Sequence, residues 1–200
     1  PLVPLIKDYP PSKVIGLTIF QGHVSDGEYL AVWIGAISSW KRNGDLVELS
    51  CNPVSNSLNR TGLRRKYQLG CPHILYGSKC GASKASFTTT KTIIGVMANA
   101  IDLPPAWVAT PGNYLGGIVE WVNATGGAER RGILDITLSD TRLILSGTTK
   151  DLDIGSSVQI SQGCSHKIDA CKNQFNNINN YGGQPYIPLE TPVGLKNSFY

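Results

Sequence analysis

Charged side chains are scarce in this sequence, at 16% of 200 residues against about a quarter in typical soluble domains. Disorder needs high net charge and little apolar content, so 41% apolar residues and a formal charge of +4 exclude it. Long apolar runs are missing too. Nothing approaches the roughly 20 residues that span a bilayer as a helix, so no membrane segment is expected. The opening stretch from Pro1 to Pro11 lacks the basic segment, apolar run and small-residue cleavage site of a secretion signal. A charge of +4 also falls short of the concentrated cations of a nucleic-acid binder, and no specific nucleic-acid binding is expected. There is no His-Glu-x-x-His, no phosphate-binding Gly-rich Lys motif and no Gly-x-Ser-x-Gly elbow, so an enzymatic role is not expected. No internal repeat or low-complexity segment is present.

What the chain does have is glycine, 22 residues where an average share is roughly 7%, and short alternating apolar runs broken by turns. Residues 14–20, 29–39 and 46–51 read as antiparallel strands, with Asn43-Gly44 as a hairpin signal because both residues tolerate positive φ. In the second, both alternating sets are apolar (Leu30, Val32, Ile34 and Ala31, Trp33, Ile37), which predicts burial of both faces by sheet, neighbouring subunit or both. Val47, Leu49 and Cys51 share one face of the third strand, so Cys51 reads as a small core residue. A short helix is expected within 53–65, followed by the basic stretch Arg60, Arg64, Arg65 and Lys66.

Strand patterns return at 87–91, 92–97, 117–122, 130–138, 142–145 and 156–160. Leu134, Ile136 and Leu138 alternate with Asp135 and Thr137, which predicts one buried and one wet face. Six short strands at this spacing suggest a small antiparallel barrel or sandwich. Beyond them, Ser165 is a candidate cap of a short helix that places Ile168, Cys171 and Phe175 on one face. The Asn-, Gly- and Pro-rich stretch from Asn176 onward then predicts an extended arm lying against something.

Five cysteines are the most informative feature, because four of them form two pairs: Cys71 with Cys80, and Cys164 with Cys171. The pairs flank the expected barrel, and joining them closes a loop of about 100 residues, worth roughly 4.7 kcal/mol in the chain-entropy model. Such a tie requires the barrel's two ends to lie close together. Three chemistries compete. Zinc usually takes ligand pairs two to four residues apart, although His73 and His166, each two residues after a cysteine, would allow a mixed site. An iron–sulfur cluster needs four thiolates and tolerates looser spacing, with Gly70, Gly81 and Gly163 as candidates for bringing backbone N–H groups to the sulfurs. Two disulfides would require an oxidising compartment. Spacing alone ranks cluster and zinc nearly equal, with disulfides third.

Two longer stretches carry a resemblance. Gly62-Leu-Arg-Arg-Lys-Tyr and Cys71-Pro-His-Ile-Leu-Tyr-Gly-Ser-Lys-Cys-Gly81, then Gly163-Cys-Ser-His-Lys-Ile-Asp-Ala-Cys171 and the run from Phe175 to Pro188, resemble the signatures of a tailed-phage tail-tip hub family. That family includes the iron–sulfur hub of gene transfer agents and is similar to the lambda tail tip protein L. The resemblance covers roughly 30–190, including Gly116-Gly-Ile-Val-Glu-Trp121 and Glu129-Arg-Arg131.

The resemblance implies a [4Fe–4S] cluster on Cys71, Cys80, Cys164 and Cys171, with Cys51 outside the motifs and zinc as the alternative. It implies a virion structural protein assembled in the bacterial host cytoplasm. There it would form a ring with copies of itself, trimeric by family expectation, between a distal tail protein and a central hub or receptor-binding fibre protein. The runner-up reading is a cytoplasmic redox or zinc-binding structural protein. Arg64, Arg65, Lys66 and His73 are candidates to offset an anionic cluster. The expected fold is mainly β: an antiparallel N-terminal region (1–60), a cysteine-tied lobe with short helices (61–84 plus 161–190), a small β-barrel inserted in it (85–160) and a tail (191–200).

Overall fold

The structure, a computed structural model, describes residues 12–23, 27–44, 46–59, 62, 66–124 and 126–188. The expected tail at 191–200, and Arg60, Arg64 and Arg65 of the basic stretch, lie outside the described residues. The chain divides into two compact units, Pro1–Arg64 and Arg65–Tyr200. Among the described residues no helix is long and apolar enough to cross a membrane.

The first unit is a three-stranded antiparallel sheet of β1 (Gly16–Gly22), β2 (Tyr29–Asn43) and β3 (Leu46–Pro53) in that spatial order. Gly44 takes the positive φ expected at the hairpin between β2 and β3. The short helix expected within 53–65 forms as a 3₁₀ helix, Val54–Asn59. Val47, Leu49 and Cys51 form a half-buried face opposite exposed Glu48 and Ser50, as the alternation requires. Among the described residues of this unit no second layer packs on β2, and Leu30 is 73% exposed and Ile34 54%.

The second unit is built on seven antiparallel strands: β4 (Thr88–Thr92), β5 (Gly95–Met97), β6 (Ala100–Asp102), β7 (Ile118–Val122), β8 (Ala128–Thr137), β9 (Arg142–Leu145) and β10 (Ser157–Ser161). Their spatial order is β4-β10-β7-β8-β9-β6-β5, so β4 and β5 occupy opposite edges. Only Ile93 and Ile94 separate those edge strands in sequence. Ile93 donates its N–H to Ser156 O at 3.0 Å beside β10, and Ile94 donates its own to Asp102 O at 2.9 Å on β6. The sheet must therefore curl until its two edges meet at this dipeptide, which gives the barrel-like form the strand pattern predicted.

Period-two alternation fills the interior: Val119 and Trp121 from β7, Leu143 and Leu145 from β9, Val158 and Ile160 from β10 all join one core cluster. Each such side chain contributes about 1.5–3 kcal/mol by leaving water. Buried Trp107 and Trp121 satisfy their indole N–H groups on Asp140 O (2.7 Å) and Lys150 O (3.0 Å), fixing loops to the core. Arg142 grips Asp102 with two N–H bonds between β9 and β6, which holds the Asp102 carboxyl below its ordinary range.

On β8 the face assignment read from the sequence is reversed at one point. A bulge between Ile133 and Asp135 shifts the register against β9, so Ile133 points inward at 2% exposure while Leu134 is 62% exposed. One extra residue on one strand moves every following side chain to the other face. Leu138 is also exposed, lying in the left-handed turn Leu138-Ser139-Asp140. Ile133→Ala is accordingly expected to lower stability by about 2–5 kcal/mol, and Leu134→Ser to stay within about 0.5 kcal/mol. Urea midpoints of the two variants test this, and comparable losses would contradict the inward assignment.

Before the bulge, the same alternation turns two charged residues inward. Glu129 (4% exposed) pairs with Arg131 at 3.0 Å, and the guanidinium lies 5.5 Å from the centroid of the Trp121 ring. Glu120, on the opposite face of β7, instead pairs with Lys84 and Arg130.

Candidate metal centre

The register of β4 against β10 brings the cysteine pairs together. Thr88, the first residue of β4, lies opposite Ser161, the last of β10, and their hydroxyls are 2.9 Å apart. The pairing continues as Gln162 donates to Phe87 O at 3.0 Å. The chain thus enters and leaves the barrel at one place, with Cys80 seven residues before Phe87 and Cys164 two after Gln162. This is the close approach of the barrel's ends that a tie between the two pairs demands.

Each pair is then folded on itself. Between Cys71 and Cys80 two successive turns, closed by Gly77 N–H to Ile74 O (3.0 Å) and Gly81 N–H to Gly77 O (2.8 Å), shorten the eight-residue spacer. Tyr76, in left-handed conformation at φ 61°, lies within it. Between Cys164 and Cys171, His166 at φ 60° reverses the chain into a helical turn that widens to π at Ala170–Gln174. Cys171 and Phe175 are buried as the helical spacing predicted, while Ser165 makes no cap; Asp169 stands at the N-terminal boundary without a side-chain cap bond. Phe175 packs edge-on against Phe87 (4.8 Å between centroids) and Tyr76 (6.2 Å), anchoring the turn to the barrel entrance. Gln174 reinforces this by donating to Asn113 O, Gln162 Oε1 and Gly163 O at 2.9–3.2 Å.

All four thiols line one pocket, together with His73, His166, Lys167 and Asn177. None of the five cysteines is in a disulfide. The two histidines bind across the motifs rather than within them. His166 Nδ1 lies 2.9 Å from Cys71 O, while Cys71 N–H donates to His166 O at 2.8 Å. His73 Nδ1 lies 3.1 Å from Asn180 O. Carbonyls accept only, so Nδ1 carries the proton in both rings.

The stretch after Asn176 proves to lie against its own unit. Gln184 N–H donates to Gln68 O (2.9 Å) and the Tyr181 hydroxyl to Leu69 O (2.7 Å). Gly182-Gly183 is required by this approach: a Cβ would stand 2.5 Å from the His73 ring at the first and 2.5 Å from Leu69 O at the second.

Among the described residues, three sulfurs receive N–H groups. His166 N–H points to Cys164 Sγ at 3.3 Å, Gly182 N–H to Cys71 Sγ at 3.4 Å, and Asn177 Nδ2 lies 3.7 Å from Cys80 Sγ. The glycines singled out from the sequence do otherwise, since Gly81 and Gly163 direct their N–H groups to the carbonyls of Gly77 and Asn113. Of the cations expected to offset a cluster, Lys66 is exposed and does not line the pocket; Lys167, unnoticed in the sequence, does. Burial pushes the Cys164 and Cys171 thiols up, and the neighbouring cysteines add to both shifts. Tyr76 is raised strongly by burial and by Cys164 and Cys80, while burial, Cys71 and Cys171 raise Tyr181. A cationic group would stabilise the Cys164 and Cys171 thiolates, which burial and the neighbouring cysteines oppose. No three His, Cys, Asp or Glu side chains among the described residues converge to hold a single metal ion.

Comparison with known proteins adds three findings. Residues 112–190 match a family model described as "Phage conserved hypothetical protein BR0599". A Xylella fastidiosa (strain 9a5c) protein described as "Uncharacterized protein" is 34% identical over 84 residues, 42% of this chain. The match spans 17% of that relative's length. Among solved structures, a chain from the virion of a native gene transfer agent particle superposes with a TM-score of 0.73 at 18% identity, over 92% of this chain and 67% of the other. The structural likeness establishes a shared fold, and the family match encloses Cys164 and Cys171 while leaving Cys71 and Cys80 outside it.

Proposed function

We propose that the chain is a virion structural protein of a phage-type tail tip, a hub subunit whose four cysteines hold a [4Fe–4S] cluster that ties two distant segments together. The observation that carries this reading is the sharing of one pocket by Cys71, Cys80, Cys164 and Cys171, delivered there by the β4–β10 register. The donor set fits the group. A single zinc draws four ligands around one point, with Zn–S near 2.3 Å, whereas thiolates on a cluster attach to separate irons. Four thiols lining one pocket match the four thiolates a cluster needs. When bound, the cluster supplies iron–thiolate bonds that cross-link the segments.

The rest of the task falls to this chain's own groups. The barrel core and Phe175 fix where the cysteines stand, and the histidine bridges hold the motifs in register. The reading assigns no catalytic residue. The family match and the gene transfer agent likeness support the virion location.

Assembly is supported by β2, which leaves Tyr29, Leu30, Val32 and Ile34 exposed within a run from Tyr29 to Trp40 that carries no charge. Exposed apolar surface of this kind marks an interface, and its occupant in this reading is a second copy of the chain in a ring, trimeric as the resemblance implies. The distal tail protein and the central hub or fibre protein would meet the ring's two sides. Leu30→Glu with Ile34→Glu is expected to leave the chain folded and reduce self-association by tenfold or more, roughly 1.4 kcal/mol per factor of ten. Light scattering reads the oligomer and purified particles read the location. A variant that associates as the wild type does would refute this surface, and absence of the chain from particles would refute the virion reading.

A further inference from the structure

Asn177 belongs to neither cysteine pair, yet it touches a member of each. Its side-chain Nδ2 donates to Cys80 O at 2.6 Å and lies 3.7 Å from Cys80 Sγ. Its backbone N–H donates to Cys171 O at 2.8 Å, and its carbonyl accepts the Cys171 thiol proton at 3.1 Å. Asn180 Nδ2 donates to Asn177 Oδ1 at 2.6 Å, which fixes the amide with its nitrogen toward Cys80. Asn180 O in turn engages His73 Nδ1. The chain His73, Asn180, Asn177 thus runs from the first motif through the second segment and back to Cys80.

Of the three N–H groups directed at sulfur, those of His166 and Gly182 belong to the backbone and survive any substitution except proline. The Asn177 amide is a side-chain donor.

We infer that Asn177 is a positioning residue of the cysteine centre: its side-chain amide orients Cys80 and donates to that sulfur, setting how firmly the bound group is held and at what potential it exchanges electrons. This rests on the cluster reading above. Hydrogen bonds to ligand sulfurs stabilise the more reduced, more negative cluster state and so raise its potential. Partners one shell beyond the ligands typically change metal affinity 10–100-fold.

The test uses the full chain purified without oxygen. Asn177→Asp is close to isosteric, keeps the backbone N–H bond to Cys171 O and keeps an acceptor for Asn180, but turns a carboxylate toward Cys80. Asn177→Ala removes the amide outright and serves should the aspartate variant fold poorly. Iron and labile sulfide per chain are followed during a chelator challenge, and the midpoint potential is measured by redox titration. Both variants are expected to lose iron and sulfide roughly tenfold faster than the wild type and to show a more negative potential. Gln174→Ala is the control for a purely structural effect: its amide serves Asn113, Gln162 and Gly163 and no sulfur, so it lowers stability without moving the potential. Wild-type retention and potential in the Asn177 variants would overturn this inference alone. A wild-type chain without iron and sulfide would overturn the cluster reading and this inference with it.

Discussion

Cys80→Ser is expected to lower the stability of the Arg65–Tyr200 unit by about 4–5 kcal/mol, the loop-closure scale for a tie across about 100 residues. In the proposed cluster the thiol is one of four attachment points, and two of its three partners, Cys164 and Cys171, are separated from it by the seven strands of the barrel. Without the tie, His166 and His73 still bridge the segments, but by hydrogen bonds on partly exposed side chains worth about 1 kcal/mol each. Chelator treatment of the wild type should reach the same endpoint, and it should do nothing further to Cys80→Ser. Cys51→Ser, on the half-buried face of β3 in the other unit, should retain the bound group. Thermal unfolding with and without chelator measures all three. Equal stability of Cys80→Ser and wild type would show that the cysteines tie nothing together.

Glu129→Ala carries the second large effect, about 3 kcal/mol of lost stability. The carboxylate is buried and faces Arg131 at 3.0 Å, so truncation leaves a guanidinium desolvated without that counter-charge. Breaking one half of a buried pair typically costs about 3–5 kcal/mol, whereas replacing both halves by well-packed apolar residues is often neutral. Glu129→Leu combined with Arg131→Met should therefore recover most of the loss, with the Met thioether taking the guanidinium's place beside Trp121. Urea unfolding followed by the core tryptophans reads both. A Glu129→Ala variant within 1 kcal/mol of wild type would refute the account of this pair. Within β8 the strand phase turns Glu129 and Arg131 inward and leaves Arg130 exposed.

Strand positions were legible because alternation reports directly on a two-sided surface. Residues 142–145 were read as a strand and form β9, and 156–160 lies within one residue of β10. Two features escaped for physical reasons. β6, three residues long, is too short to show a period, although buried Ala100 and Ile101 before Pro104-Pro105 are consistent with a strand that ends early. The bulge at Leu134 leaves no local mark either: Ile133, Leu134 and Ile136 are apolar in either phase, and only pairing with β9 decides which points inward.

The four cysteines that line one pocket were legible in the sequence, and their surroundings were not. Cysteine spacing named the four thiols, and an inserted antiparallel barrel explained how they could meet. The groups that approach the sulfurs could not be read, because an N–H donor is present at every residue but proline. Local turns spend the Gly81 and Gly163 donors on carbonyls, while the arm folding back past Gly182-Gly183 supplies one to Cys71. The apolar faces of β2 were legible, but what covers them was not: alternation marks a surface meant for burial without naming the sheet or neighbouring subunit that meets it.

The most direct test of the central claim is the content of iron, labile sulfide and zinc per chain in protein purified without oxygen, read alongside its visible spectrum. The account predicts a coloured protein with about four irons and four sulfides per chain, as a [4Fe–4S] group on Cys71, Cys80, Cys164 and Cys171 requires. A colourless protein holding one zinc, or a metal-free protein whose mass shows two disulfides, would contradict it.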